Sequence, residues 1–173
     1  MSGEQSSTVK ALELAIRTEL NGKTFYERAS VQSSQLLGQQ LFSTLAVEED
    51  MHRKKFEEIY EAFRTKNSWP VVDYHPANAN AVKTVFAQAR RSTVKSNTTE
   101  NEAILIALEI EDRSIDLYLE FAKTALYPAE KSLYETLVGE ERGHRLALLD
   151  YQEYLKDPAG WFVGKEHPSL DGG

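Results

Sequence analysis

Two parts of this chain repeat at a fixed distance, and the repeat carries ionisable side chains into positions where a helix should be apolar. Glu49 and His52 in "LAVEEDMHRKKF" return as Glu141 and His144 in "LVGEERGHRLALL", each 92 residues further on. Glu19 returns as Glu111, and Tyr26 as Tyr118, at the same offset of 92. Self-similarity on this scale implies two related units of supersecondary structure that bury their faces against each other.

Each unit reads as a pair of helices. In residues 8–31, Leu12, Ala15, Glu19, Gly22, Tyr26 and Ala29 recur at alternating steps of three and four, the stripe of a helix packed on one side. Residues 35–64 continue the pattern through Phe42, Leu45, Glu49, His52, Phe56, Ile59 and Phe63. Residues 99–125 give Ile104, Leu108, Glu111, Ile115, Tyr118, Ala122 and Ala125, and residues 128–156 give Tyr134, Leu137, Glu141, His144, Leu148, Tyr151 and Leu155. Thr98 or Thr99 with Glu102 offers a capping box for the third helix, and Pro128 suits the first turn of the fourth. Short turns at "SVQSSQ" and "KTALYPAE" make antiparallel neighbours. The long stretch of residues 65–98, with one short helix expected at 78–91, must run the length of the bundle. The fold expected is an all-α four-helix bundle of two duplicated hairpins with a crossover between helices 2 and 3. It is read as one domain over residues 1–173, ending in a turn-rich tail at 157–173 that Trp161 and Phe162 pin to the bundle.

The composition narrows the chemistry. The chain has no cysteine, which removes disulfides, thiol nucleophiles and iron–sulfur ligation. Any metal must be held by histidine and carboxylate, a donor set suited to iron, manganese or zinc. Twenty Lys and Arg against 27 Asp and Glu give a net charge of −7, unlike a nucleic-acid binder, which needs a basic face. No apolar run is long enough to span a bilayer, and "MSGEQSSTVK" has no secretory pattern. A cytoplasmic protein without membrane or nucleic-acid partners is the expectation.

Six polar side chains, Glu19, Glu49, His52, Glu111, Glu141 and His144, fall on the inward stripes. A buried bare carboxylate must be paired, protonated or metal-bound. No Lys or Arg shares those stripe positions, so two divalent cations are the natural counter-charge for four glutamates, with one imidazole nitrogen for each ion. On a helix, Glu and His three apart reach the same point in space. One Glu from each of two helices and Glu-x-x-His from each of the other two is the described ligand set of ferritin-like di-iron and di-manganese bundles. The metal ligands expected are therefore these six residues, with Glu19, Glu49, Glu111 and Glu141 as the reactive carboxylates.

"TELNGKTFYERAS" with "VEEDMH", and "EIEDRSIDLYLEFA" with "GEERGH", resemble the rubrerythrin branch of the ferritin-like superfamily over about residues 8–156. The resemblance implies that Glu49 and Glu141 bridge two metals while Glu19 and Glu111 bind terminally. It also implies a non-haem di-iron oxidoreductase that reduces peroxide or oxidises ferrous iron, in oxidative-stress defence or iron handling. Full-length rubrerythrins add a four-cysteine rubredoxin domain; this chain has no cysteine, so the electron donor would be a separate protein. Many relatives carry another glutamate one turn beyond the third-helix ligand. Ser114 stands there instead, which weakens the case for peroxidase chemistry.

Other readings stay open: a di-manganese catalase-like enzyme, a non-catalytic iron-storage subunit, or a structural bundle holding zinc. A homodimer is expected from the family habit and the aromatic crossover. Tyr26 and Tyr118 are expected either to orient ligand carboxylates from the second shell or to serve as core tyrosines. Glu48, Glu140, Asp50 and Asp112 lie off the stripe and are expected in solvent. His75 and His167 precede prolines in loop sequence and read as surface residues. Gly22 is expected to let helices approach closely beside the metals.

Overall fold

The computed structural model describes residues 3–66, 68–71, 74 and 98–161. Four long helices are found there: α1 (Gly3–Gln32), α2 (Leu36–Lys66), α3 (Thr98–Thr124) and α4 (Pro128–Lys156). No strand occurs among the described residues. The boundaries follow the sequence pattern to within a turn, except that α1 starts five residues earlier than expected. Helix α3 begins at Thr98, so its two threonines lie inside the first turn, and it stops before Ala125. Pro128 opens α4, and the buried Glu130 carboxylate accepts the N–H groups of Leu126 and Tyr127. Those donors would otherwise be orphaned at the turn.

Cross-helix contacts give the topology. Lys23 meets Asp50 and Tyr60 meets Glu13, so α1 and α2 run antiparallel. Tyr26 bonds to Glu111 while Tyr118 bonds to Glu19, so α3 also runs against α1. Helices α2 and α3 are therefore parallel, and the chain between them must return along the whole bundle. With 31 residues, α2 is about 45 Å long at 1.5 Å per residue, so the end of α2 and the start of α3 lie at opposite ends of the bundle. This is the ferritin-like crossover, not a simple series of hairpins. The helix expected at 78–91 lies outside the described residues, as do His75, Phe162 and His167.

The stripe positions are where the core forms. One apolar cluster gathers Tyr26, Phe42, Leu45, Ile104, Leu148 and Tyr151. A second gathers Leu12, Phe56, Ile59, Tyr118, Tyr134 and Leu137. The repeated polar residues occupy the layer between them. Trp161 packs on the first cluster and stands edge-on to Tyr154. No described helix is long and apolar enough to cross a membrane.

Candidate metal centre

All six polar stripe residues converge. Their side chains come from all four helices, and none is more than 3% exposed. Two overlapping groups form: Glu19, Glu49, His52 and Glu141, and Glu49, Glu111, Glu141 and His144. Within each group, one ligand-type atom per residue lies within 4.8 Å of every other. Glu49 and Glu141 belong to both groups; Glu19 belongs only to the first and Glu111 only to the second.

Both imidazoles turn Nδ1 inward. His144 Nδ1 lies 3.0 Å from Glu141 Oε2 and 3.3 Å from Glu49 Oε1. His52 Nδ1 lies 3.3 Å from Glu19 Oε2 and 3.4 Å from Glu141 Oε1. Neither Nδ1 has a hydrogen-bond partner, nor do Glu19 Oε2, Glu111 Oε2 or either oxygen of Glu141. Buried polar atoms are normally satisfied, so six unsatisfied atoms around one point mark a site built for a cation.

The surroundings correct one expectation. Glu48 is buried, not solvated, and its Oε2 lies 2.8 Å from His144 Nε2. Glu140 sits 3.3 Å from His52 Nε2 and accepts the Tyr74 hydroxyl. Each imidazole is thus backed by a glutamate from the opposite helix of the α2–α4 pair. A carboxylate taking the Nε2 proton leaves the Nδ1 lone pair for a metal, the usual arrangement behind a ligating histidine. The signal was present in the sequence, because Glu48 and Glu140 obey the same offset of 92. Helical periodicity alone put them one step off the stripe and concealed it. Asp50 and Asp112 do turn outward, to Lys23, Arg53 and Lys54, and to Arg145. Replacing Glu48 or Glu140 with alanine should weaken metal binding about 10- to 100-fold, as loss of outer-shell partners does, measured by anaerobic calorimetry with a divalent ion.

The tyrosines sit beside the carboxylates in a crossed pattern. Tyr26 of α1 donates to Glu111 of α3, and Tyr118 of α3 donates to Glu19 of α1. Both hydroxyls bond a buried carboxylate across the helix pair and so fix its orientation. Gly22 serves the same layer. A Cβ there would meet Glu49 Oε2 at 2.6 Å, so the missing side chain makes room for a carboxylate rather than for another helix backbone. Gly22→Ala should leave the metal-free helices as stable or slightly more so, by up to about 1 kcal/mol of helix propensity. It should displace the Glu49 carboxylate and lower metal affinity. Thermal melts with and without metal separate the two effects.

Without a metal, protons must neutralise the layer. No Lys or Arg is among its buried residues. Burial, reinforced by the Glu141 and Glu19 charges, holds the Glu49 carboxyl well above the usual range. Burial and the Glu141 charge push Glu111 up to about 8. For Glu141, burial is outweighed by the two imidazoles, chiefly His144, and its carboxyl is held low. Burial disfavours charged imidazoles, but the carboxylates overcome it. Glu19 leads for His52, and Glu111 with Glu141 for His144, so both are held well above the ordinary histidine value.

The family model for rubrerythrin matches residues 10–152, most of the chain and all four helices. The chain belongs to the rubrerythrin family. Comparison with curated proteins and with solved structures returns no match. Family membership suggests a two-metal site, and the buried glutamate and histidine layer is a cluster able to hold one. Ser114 is buried on α3 one turn past Glu111, so that position supplies no further carboxylate.

Proposed function

We propose that this rubrerythrin holds two iron ions and acts as an oxidoreductase that reduces peroxide or oxidises ferrous iron. Glu19, Glu49, His52 and Glu141 hold one ion, and Glu49, Glu111, Glu141 and His144 the other, with Glu49 and Glu141 shared. The observation that carries this reading is the set of unpartnered donor atoms in the dry layer, with both imidazole Nδ1 atoms among them. A pair of ferrous ions bound there would supply electrons for cleaving an oxygen–oxygen bond.

The chain's own residues do the rest. Glu48 bonds His144 Nε2 and Glu140 stands 3.3 Å from His52 Nε2, which orients both rings, and Tyr26 and Tyr118 orient the Glu111 and Glu19 carboxylates. The flanking apolar clusters keep bulk water away, which strengthens every charge interaction in the layer. Tyr74, whose hydroxyl bonds Glu140 beside His52, lies against one end of the site. In this reading electrons for turnover come from a separate donor protein, and a cytoplasmic setting suits such a partner.

The test is anaerobic loading with ferrous ion, followed by peroxide and by air in parallel. Two iron ions per chain and a rise in ferric absorbance are expected. A faster rise with peroxide identifies a peroxidase, and a faster rise with air a ferroxidase. Binding of fewer than two ions, or indifference to both oxidants, would refute the proposal.

A further inference from the structure

Tyr151 and Glu100 form a third buried tyrosine–carboxylate pair, away from the metal-capable layer. The position 92 residues before Tyr151 is Ile59, so the pair is not a by-product of the duplication. Tyr151 donates to Glu100 Oε1 at 2.5 Å, Ser33 Oγ donates to the same oxygen at 2.5 Å, and the Ser34 N–H reaches Oε2 at 3.3 Å. Gly38 lies against this group, and a Cβ there would strike Glu100, Tyr151 and Ser33.

Rings in contact lead from this pair in two directions. Inward, Tyr151 meets Phe42 at 6.1 Å between centroids, and Phe42 stacks on Tyr26 at 6.2 Å. Tyr26 donates to Glu111 of the metal-capable layer. Outward, Tyr151 stacks on Tyr154 at 6.5 Å, and Tyr154 meets the half-buried Trp161 at 5.9 Å. Tyrosine and tryptophan are the aromatic side chains that lose one electron reversibly. A phenol does so readily only where a base stands within hydrogen-bond reach to take its proton. Tyr151 meets that condition with Glu100, outside the metal-capable layer. On the opposite side, Tyr118, Tyr134 and Trp69 also touch, but the Tyr134 hydroxyl has no hydrogen-bond partner.

We infer that Tyr151, with Glu100 as its proton acceptor, is a one-electron relay between Tyr26 at the metal-capable layer and Trp161 at the end of the bundle. The relay rests on the proposed function for its oxidant, peroxide acting at that layer. Peroxide at that layer takes one electron from the layer's metal and one electron with the phenolic proton from Tyr26, and with one proton from solvent leaves as two waters. Tyr151 then supplies an electron to Tyr26 across Phe42, the Tyr151 proton passes to Glu100, and Tyr26 is reprotonated from solvent. An electron from Trp161, by way of the Tyr154 ring, restores Tyr151, which takes its proton back from Glu100. Trp161 is restored by an external one-electron reductant such as a reduced flavin or an iron–sulfur carrier. A purely structural role, tying the α1–α2 turn to α3 and α4, moves no electron.

The test begins with metal-free protein in a Trp69→Phe, Tyr154→Phe background, which keeps the ring contacts and leaves Trp161 as the single indole. Pulse radiolysis in azide solution oxidises Trp161 by one electron. The indolyl absorption should then decay as a phenoxyl absorption rises, at a rate independent of protein concentration. Adding Tyr151→Phe, which leaves Glu100 bonded to Ser33 and Ser34, should abolish that phase. Adding Glu100→Gln should slow it and change its solvent-deuterium ratio, with circular dichroism confirming that each variant is folded. Transfer in the Tyr151→Phe chain equal to that of its parent overturns the relay. In iron-loaded protein treated with peroxide, Tyr151→Phe should leave the Tyr26 phenoxyl unrepaired, so that a freeze-trapped phenoxyl resonance persists after it has decayed in the parent; decay at the parent's rate also overturns the relay. Iron per chain, measured on the same samples, tests the proposed function separately, since the metal-free transfer is read without it.

Discussion

Glu141→Ala is expected to abolish binding of a second metal ion while leaving the four helices in place. Glu141 belongs to both donor groups, and neither of its oxygens has a hydrogen-bond partner. It also lies closest to both inward-facing imidazole nitrogens taken together, at 3.0 Å from His144 and 3.4 Å from His52. Its removal takes a donor from each ion position at once, which no change at Glu19 or Glu111 does. The effect should exceed the roughly 10- to 100-fold loss typical of outer-shell changes. The four helices should survive the change because they pack through the apolar clusters on either side of the layer. Metal per chain after anaerobic dialysis should read two for the parent and at most one for the variant, with unchanged helical circular dichroism. Two tightly held ions in the variant would remove Glu141 from the shared position.

The second large effect is a stability profile that changes with metal. In the metal-free protein, the Glu111 carboxyl is held up to about 8 by burial and the Glu141 charge. A carboxyl raised on folding stabilises most below its unfolded value, about 4.3, and that contribution disappears as pH rises through its folded value. Glu49 acts in the same sense. The raised imidazoles add a contribution that is full below about 6.5 and lost above their folded values. Glu141, held low, acts oppositely, and its contribution is lost only on acidification. Metal-free protein should therefore lose stability as pH is raised from about 5 to 8. Divalent ions replace those protons, so the gain from metal should widen over the same interval. With metal at about a thousand times its dissociation constant, the gain is about 4 kcal/mol. Denaturant melts at pH 5, 6, 7 and 8, with and without metal, measure both trends. A metal-free profile that rises with pH would mean that the layer is not charged in this way.

The helices and their buried faces were legible because helical periodicity is local. Every stripe residue of α1, α2 and α4 named from the three–four alternation is buried. In α3, Leu108 and Ala125 are only partly covered, since helix ends and flanks feel the neighbouring elements as well as their own period. The offset of 92 did more, because it separated ionisable residues on a seam from accidental ones. The same offset held Glu48 and Glu140, yet their burial was missed. Whether a residue one step off the stripe meets solvent depends on what the opposite helix presents there, and His52 and His144 present Nε2 atoms that require a partner.

The sequence by itself determined the helices, their inward faces and the six donors, because a rise and a rotation per residue place side chains along one helix without reference to any other. Tertiary structure decided the pairings. Seven residues separate Glu19 from Tyr26, about 10.5 Å along the axis, too far for that hydroxyl to serve its own helix's carboxylate. Only the antiparallel packing of α1 on α3 brings Tyr118 level with Glu19 and Tyr26 level with Glu111. Packing of α2 against α4 likewise sets Glu48 behind His144 and Glu140 behind His52, and packing of α3 against α4 sets Glu100 beneath Tyr151. Those partners lie 51 to 99 residues apart in sequence, and no helical period extends across the turns and the crossover that separate them.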